Sequence, residues 1–248
     1  MTTIKTLPAA LFAVAALCLA APARAGEGHP HWGYAGHEGP GDWGHIDHDY
    51  AACDGQGGQQ SPIDLAGAVK ADLPKVETHY APQRLFVVNN GHTIQANTRP
   101  GSYILLDGER YDLVQYHFHL PSEHAVDGRR TAMEVHLVHR SAAGDVAVLG
   151  SLIEPGPASG IIESVWDSPE GAESRLEANP GELLPADRTL FRYEGSLTTP
   201  PCSEIVHWIV FRTPITASER QIRRFAAMFP MNARPLQPRN RRFLLESR

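Results

Sequence analysis

Leu113-Val114-Gln115-Tyr116-His117-Phe118-His119-Leu120 is the stretch on which the fold turns. On a strand, successive side chains face opposite ways. Gln115, His117 and His119 then share one face, and Tyr116, Phe118 and Leu120 share the other. The apolar face belongs to a core. The polar face presents two imidazoles about 7 Å apart along the strand, given its rise per residue. Two rings at that spacing can tilt onto one metal ion. A lone His-x-His pair is weak evidence, because many such pairs are ordinary polar faces.

Glu134-Val135-His136-Leu137-Val138-His139 sharpens the reading. Glu134, His136 and Val138 share one face there. If this strand lies beside the first, His136 supplies a third nitrogen. Three histidines leave the fourth tetrahedral position of a zinc ion open for water, the layout of a catalytic site. Gln115 stands two residues before His117, and Glu134 two before His136. Each can accept the N–H that faces away from the metal and so fix a ring. His139 has the wrong parity for a ligand.

Working outward, short β segments flank the pair. Leu85–Val88 ends at the turn signal Asn89-Asn90-Gly91, and Tyr103–Leu106 ends at Asp107-Gly108. Met133–His139 and Val146–Ile153 follow. Strands at this spacing predict a largely antiparallel sheet. Helices are few. Ser218-Glu219-Arg220-Gln221 is a capping box ahead of Ile222, Phe225, Ala226 and Phe229, which share a helical face that Pro230 ends. A shorter helix is predicted over Ile161–Trp166, and the Pro-rich run 234–238 reads as extended chain. The expected class is mainly β (α+β), one domain with peripheral short helices.

The ends add context. Lys5, the apolar run Leu7–Ala20 and Ala23-Arg24-Ala25 have the layout of a secretory signal peptide, with cleavage after Ala25 and a domain over residues 26–248. The run is too short to span a bilayer comfortably. Losing Lys5 and Arg24 moves the net charge from -6 to -8. A mildly acidic chain is a poor partner for nucleic acid. Cleavage also removes Cys18, leaving Cys53 and Cys202, an even pair that suggests a disulfide in an exported chain. Residues 26–58 are rich in Gly, His and aromatics. Five of the thirteen histidines lie between His29 and His48, either as an accessory metal site or packed beside Trp32, Tyr34 and Trp43.

The blocks together resemble the α-class carbonic anhydrases, of the exported bacterial type. Besides the two histidine strands they include Ser122-Glu123-His124, Ser196-Leu197-Thr198-Thr199-Pro200-Pro201 and His31-Trp32-Gly33-Tyr34. Gln60-Ser61-Pro62-Ile63-Asp64, Asn89-Asn90-Gly91-His92 and Asn232-Ala233-Arg234-Pro235 complete the set, in the family's order. The resemblance implies a large twisted, mostly antiparallel sheet of about ten strands with zinc at the floor of a conical cavity. It implies reversible hydration of carbon dioxide to bicarbonate and a proton, by attack of zinc-bound hydroxide, and sensitivity to sulfonamides.

Roles follow by matching positions. His117, His119 and His136 would hold Zn2+, supported by Gln115, Glu134 and Asn232. Thr198 would accept a hydrogen bond from the hydroxide and donate its own proton to Glu123. His92 would shuttle protons. Val138, Val148, Leu197, Val206 and Trp208 would wall the carbon dioxide pocket, with Thr199 beside them. Cys53 and Cys202 match the disulfide of exported bacterial members, placing the protein outside the cytoplasm, in the periplasm and without membrane insertion. A homodimer is compatible with the resemblance. Gln95 and Glu194 depart from the family pattern. A metal buffer would need the three histidines but not Thr198, Glu123 and His92. An adhesion module would show apolar patches or repeats, which the sequence lacks. Weak esterase activity is the expected side reaction of a zinc hydroxide.

Overall fold

Twelve strands pair into one sheet. They are β1 (Val69–Ala71), β2 (Glu77–His79), β3 (Gln83–Asn89), β4 (Ile94–Asn97), β5 (Tyr103–Leu106) and β6 (Glu109–His119), then β7 (Met133–Ser141), β8 (Val146–Pro155), β9 (Glu173–Ala178), β10 (Leu190–Gly195), β11 (Val206–Ala217) and β12 (Leu245–Ser247). The computed structural model describes residues 30–248, of which His31–Arg248 form one compact unit. The expected signal segment and His29 lie outside the described residues. The strand order is β1-β12-β10-β11-β8-β7-β6-β4-β3-β9, with β5 bridging β6 and β2. Only β1/β12 and β8/β11 pair in parallel. The mostly antiparallel sheet is therefore present, two strands larger than the estimate.

Turn chemistry joins the strands as the sequence indicates. Asp107 and Gly108 both adopt positive φ, at 53° and 84°, and make the two-residue turn from β5 to β6. Among the described residues three short α-helices lie around the sheet: α1 (Trp43–Ile46), α2 (Gly160–Trp166) and α3 (Glu219–Met228). The capping box forms at α3, with Ser218 Oγ accepting from Gln221 N and Gln221 Oε1 accepting from Ser218 N at 3.0 Å. Gln221 reaches further than expected. It also accepts from Ser159 N at 3.1 Å and donates to Ser159 O at 2.8 Å, so one buried amide joins the starts of α2 and α3.

The two faces of the sheet bury different clusters. Tyr116, Phe118, Val135, Leu137, Leu149, Ile209 and Phe211 pack with Ile161, Trp166 and Phe225 of the helices. The opposite face gathers Ile63, Val148, Val206, Trp208 and Val210. One device that the sequence did not reveal makes this sorting work. A bulge between Leu113 and Gln115 interrupts the β6/β7 register. Without it, Gln115, His117 and His119 would share the parity of buried Tyr111 and Leu113, on the larger core. The extra residue, Val114, is left exposed, and the two histidines turn to the other face.

His139 stays on the larger-core side, as its parity requires. Tyr80 Oη lies 2.7 Å from its Nε2, and its Nδ1 lies 3.3 Å from Ala147 O. Burial pushes this imidazole down to about 4 from 6.5. The folded chain therefore holds His139 neutral where the unfolded chain would protonate it. Its contribution is full above pH 6.5 and is lost as pH falls toward 4, by about 3 kcal/mol in all. Urea unfolding of metal-free protein should show the wild type losing about that much more than His139→Gln between pH 7 and 4. Equal losses would clear His139 of any part in acid sensitivity.

Candidate metal centre

Three imidazoles converge at the ends of β6 and β7. His117 sits directly opposite His136 in the register, and His119 follows on the same face of β6. Ring centroids are 5.0 Å apart for His117–His119, 5.3 Å for His117–His136 and 4.5 Å for His119–His136. One nitrogen from each lies within 4.8 Å of the others, so the three could hold one ion.

The remaining nitrogens are all engaged. His117 Nδ1 donates to Gln115 Oε1 at 2.9 Å, His119 Nδ1 to Asn232 O at 2.8 Å, and His136 Nε2 to Glu134 Oε1 at 3.0 Å. This leaves Nε2 of His117, Nε2 of His119 and Nδ1 of His136 for a metal. His119 Nε2 is buried and has no hydrogen-bond partner, a state that a ligand atom explains. Burial lowers the pKa of His117 and of His119, holding both rings neutral. Three converging imidazole nitrogens with oriented outer N–H groups fit a zinc ion.

Glu134 does more than its spacing suggested. Its carboxylate also accepts from His124 N and from His124 Nδ1, each at 2.8 Å. Burial opposes its ionisation, but the charges and hydrogen bonds of His124 and His136 hold it well below the usual carboxylate range. Behind it, His124 Nε2 meets Tyr193 Oη at 2.7 Å, and Tyr193 donates to Ser61 Oγ at 2.9 Å. Gly150 faces His136 across β8. A Cβ at Gly150 would lie 2.9 Å from Glu134 Oε1, so the carboxylate requires glycine there.

The segment that follows β10 carries Thr198 and Thr199. Ser196 N and Oγ bond the Ser61 side chain and backbone, at 3.1 and 2.9 Å. Leu197 N bonds Ser203 O, and Cys202 N bonds Thr199 O. Cys202 forms the expected disulfide with Cys53. Arg234 ties the neighbourhood together. Its guanidinium donates to Gln60 Oε1, Ser61 O and Cys53 O, and its backbone N donates to Glu123 Oε1 at 2.8 Å. The expected hydrogen bond from Thr198 to Glu123 is not formed. Glu123 Oε1 is taken by Arg234, and Oε2 accepts no hydrogen bond. Oε2 is turned instead toward the rings, 3.6 Å from His119 Nε2 and 3.9 Å from His136 Nδ1.

A cavity of about 120 Å³ reaches two of the three imidazoles, His117 and His119, with His92, Gln95, Gln115 and Thr199 also in its lining. His92 lies on Trp32, ring centroids 3.7 Å apart and nearly parallel. Burial and the neighbouring His31 lower its pKa. Val138, Val148, Leu197, Val206 and Trp208 belong to one apolar cluster. Trp208 packs against His136 with 4.8 Å between ring centroids.

The profile of the eukaryotic-type carbonic anhydrases matches residues 38–248. The chain belongs to that family. A carbonic anhydrase from Nostoc sp. is 44% identical over 93% of this chain and 90% of its own length. One from Klebsiella pneumoniae is 42% identical over 87% of this chain and 91% of its own. The solved α-carbonic anhydrase of Thermovibrio ammonificans, in complex with the inhibitor sulfanilamide, superposes with a TM-score of 0.83 at 43% identity, covering 88% of this chain and 100% of that one.

Among carbonic anhydrases the two departures of this chain have simple structural readings. Glu194 pairs with His207, Oε2 to Nδ1 at 2.7 Å, on the strand face away from the metal centre. Gln95 lines the cavity and donates to Asn97 Oδ1 at 2.7 Å. The roles of His124, Tyr193, Ser61 and Arg234 were missed. Three of them stood inside quoted motif blocks, but a buried relay joining distant segments leaves no periodic signal. The Asn232 support was expected, yet it comes from the backbone carbonyl.

Glu134→Gln should weaken zinc binding about 10–100-fold, because an amide N–H then faces His124 or His136 in place of an acceptor. Competition with a chromophoric chelator measures this, and unchanged affinity would separate Glu134 from the metal centre.

Proposed function

We propose that this chain is an exported zinc-dependent carbonic anhydrase that hydrates carbon dioxide reversibly to bicarbonate and a proton. The observation that carries the reading is the triad of imidazoles whose free nitrogens lie within reach of one ion while their outer nitrogens are each held by an acceptor. Zinc bound there would supply a Lewis acid that activates water near neutral pH, the chemistry for which this family is the type case.

The chain's own groups supply the rest. His117, His119 and His136 would hold the ion through the three nitrogens left free by their outer hydrogen bonds. Gln115, Glu134 and the Asn232 carbonyl keep their rings aimed. Carbon dioxide has no charge and no dipole, so the Val138, Val148, Leu197, Val206 and Trp208 wall suits it, with Thr199 at the cavity lining. Thr198 would orient the attacking oxygen by donating its hydroxyl hydrogen to Glu123, a bond that requires Oε2 to turn from the imidazoles it now faces. The unpartnered, buried Glu123 Oε2 supports this, since it is an acceptor without a donor. His92 takes the proton released in each cycle at its ring nitrogen and carries it toward solvent. Histidine is the side chain that ordinarily titrates nearest neutrality, and burial with the neighbouring His31 lowers this one from that value.

Removal of residues 1–25 would leave the domain over 26–248 and deliver it to the periplasm, where the Cys53–Cys202 disulfide persists. No helix among the described residues is long and apolar enough to cross a membrane. Sulfonamide inhibition is extended to this chain from its relative, and a homodimer rests on the resemblance alone.

Stopped-flow carbon dioxide hydration with and without a zinc chelator tests the reading. Activity that survives complete zinc removal would end it. Thr198→Ala should keep its zinc and lose about 100-fold in rate, the scale of one oriented catalytic hydrogen bond. A rate near wild type would take Thr198 out of the mechanism.

His92→Ala should lower kcat in weak buffer and leave kcat/KM nearly intact, because attack on carbon dioxide precedes proton release. Added imidazole should restore much of the rate. Equal loss in both quantities, or no rescue, would reduce His92 to a turn residue.

A further inference from the structure

Asn232 supports His119 through its backbone carbonyl, and a carbonyl is present whatever the side chain. The carboxamide therefore needs a separate reason. It is buried, and every polar bond it makes goes to backbone. Nδ2 donates to Phe118 O and to His92 O, both at 2.9 Å. Oδ1 accepts from Leu120 N at 2.7 Å. One side chain thus grips both peptide neighbours of His119 and the carbonyl of His92.

The His92 turn has other ties, but they differ in kind. Asn90 Oδ1 accepts from His92 N at 3.0 Å and from Thr93 N at 2.9 Å, which shapes the turn from within. Thr93 Oγ1 donates to Phe118 O at 2.6 Å, which fixes the strand beyond it. Only the Asn232 amide, among the bonds described here, reaches His92 itself from the strand end that carries His119. With its carbonyl fixed, the His92 side chain can swing only about its own bonds. The ring rests on Trp32 at the cavity lining, at a distance from the triad that this anchored carbonyl helps to set.

We propose that the Asn232 carboxamide is a positioning residue for proton transfer, locking the His92 backbone to the His119 strand end and so setting the span from triad to shuttle. The proposal rests on the reading of His92 as the shuttle. No other side chain serves as well. Aspartate has no N–H to give the two carbonyls, and glutamine is one methylene too long for the same three bonds.

Asn232→Asp keeps the backbone carbonyl and the Leu120 acceptor while removing both donors. Asn232→Ser shortens the side chain without adding a buried charge and serves if the first variant does not fold. Either variant should retain zinc and lose about tenfold in kcat in weak buffer, the scale of a modest misplacement, with kcat/KM changing less. Imidazole should restore the loss, and in a His92→Ala background the Asn232 substitution should add no further rescuable loss. In the metal-free protein, hydrogen exchange at the His92 and Thr93 amides should quicken relative to the wild type. A loss confined to zinc affinity and kcat/KM, a full additional loss on top of His92→Ala, or unchanged exchange overturns the proposal. If His92→Ala alone shows no rescuable loss, the shuttle reading fails and takes the proposal with it. If His92→Ala behaves as a shuttle variant and the Asn232 variants resemble wild type, only the proposal fails.

Discussion

The Glu134 carboxylate is a charge sealed inside a sheet, and much of the metal centre follows from keeping it satisfied. An ion buried in protein loses several kcal/mol of solvation. Three donors meet it: His124 N, His124 Nδ1 and His136 Nε2. Hydrogen bonds to charged groups contribute about 1.5–3 kcal/mol each, so three together can offset that loss and one could not. The requirement constrains its neighbours in turn. Gly150 has to lack a Cβ beside Glu134 Oε1. His124 has to be oriented, which Tyr193 and Ser61 accomplish from behind. His136 then has one tautomer open to it, with Nδ1 left for the ion.

The same Ser61 links this relay to the Thr198 segment. Ser61 Oγ accepts from Ser196 N, and Ser196 Oγ accepts from Ser61 N. Arg234 joins from the other direction, holding Gln60, Ser61 and Cys53 with its guanidinium and Glu123 with its backbone. Burial lowers its pKa to about 10, so the guanidinium stays charged at neutral pH. Its charge is answered by carbonyls and an amide oxygen. The disulfide closes the circuit, because Cys53 and Cys202 each belong to a segment that Arg234 or Thr199 touches. The segment that carries Thr198, the disulfide and the histidine relay are therefore joined in one connected polar structure.

Much of this was legible because strand parity is a strict rule. Gln115, His117, His119, Glu134 and His136 sorted onto one face from spacing alone, and His139 was correctly set aside. The capping box at Ser218 and the turn at Asp107-Gly108 are local chemistry, readable without tertiary knowledge. The bulge at Val114 was not readable, since valine is an ordinary strand residue and nothing local marks the extra position. Starting the strand at Leu113 hid the fault, because the error lay upstream of the histidines. Asn232 acts on His119 through a carbonyl that any residue would supply, so its type carries no trace of that contact. His124 escaped notice for a related reason: it lies in a loop, where periodicity says nothing. The bond from Thr198 to Glu123 came from resemblance rather than spacing, and it is the one contact that the described geometry lacks.

Rows across the sheet give the triad two kinds of neighbour. His117 pairs with His136, which pairs with Gly150. One step along, Gln115 pairs with Val138, Val138 with Val148, and Val148 with Trp208. The first row carries the ligands. The second begins polar on β6 and turns apolar on β7, β8 and β11. An ion held by the first row therefore stands at a boundary, with amides and His92 on the β4/β6 side and a hydrocarbon surface on the β8/β11 side. An uncharged, nonpolar substrate gains little from the polar side, where it would displace hydrogen-bonded water. A proton gains nothing from the apolar side, where no acceptor stands. The sheet register thus puts polar side chains on one side of the triad and an apolar row on the other, and on the proposed reading the gas and the proton would approach from different sides.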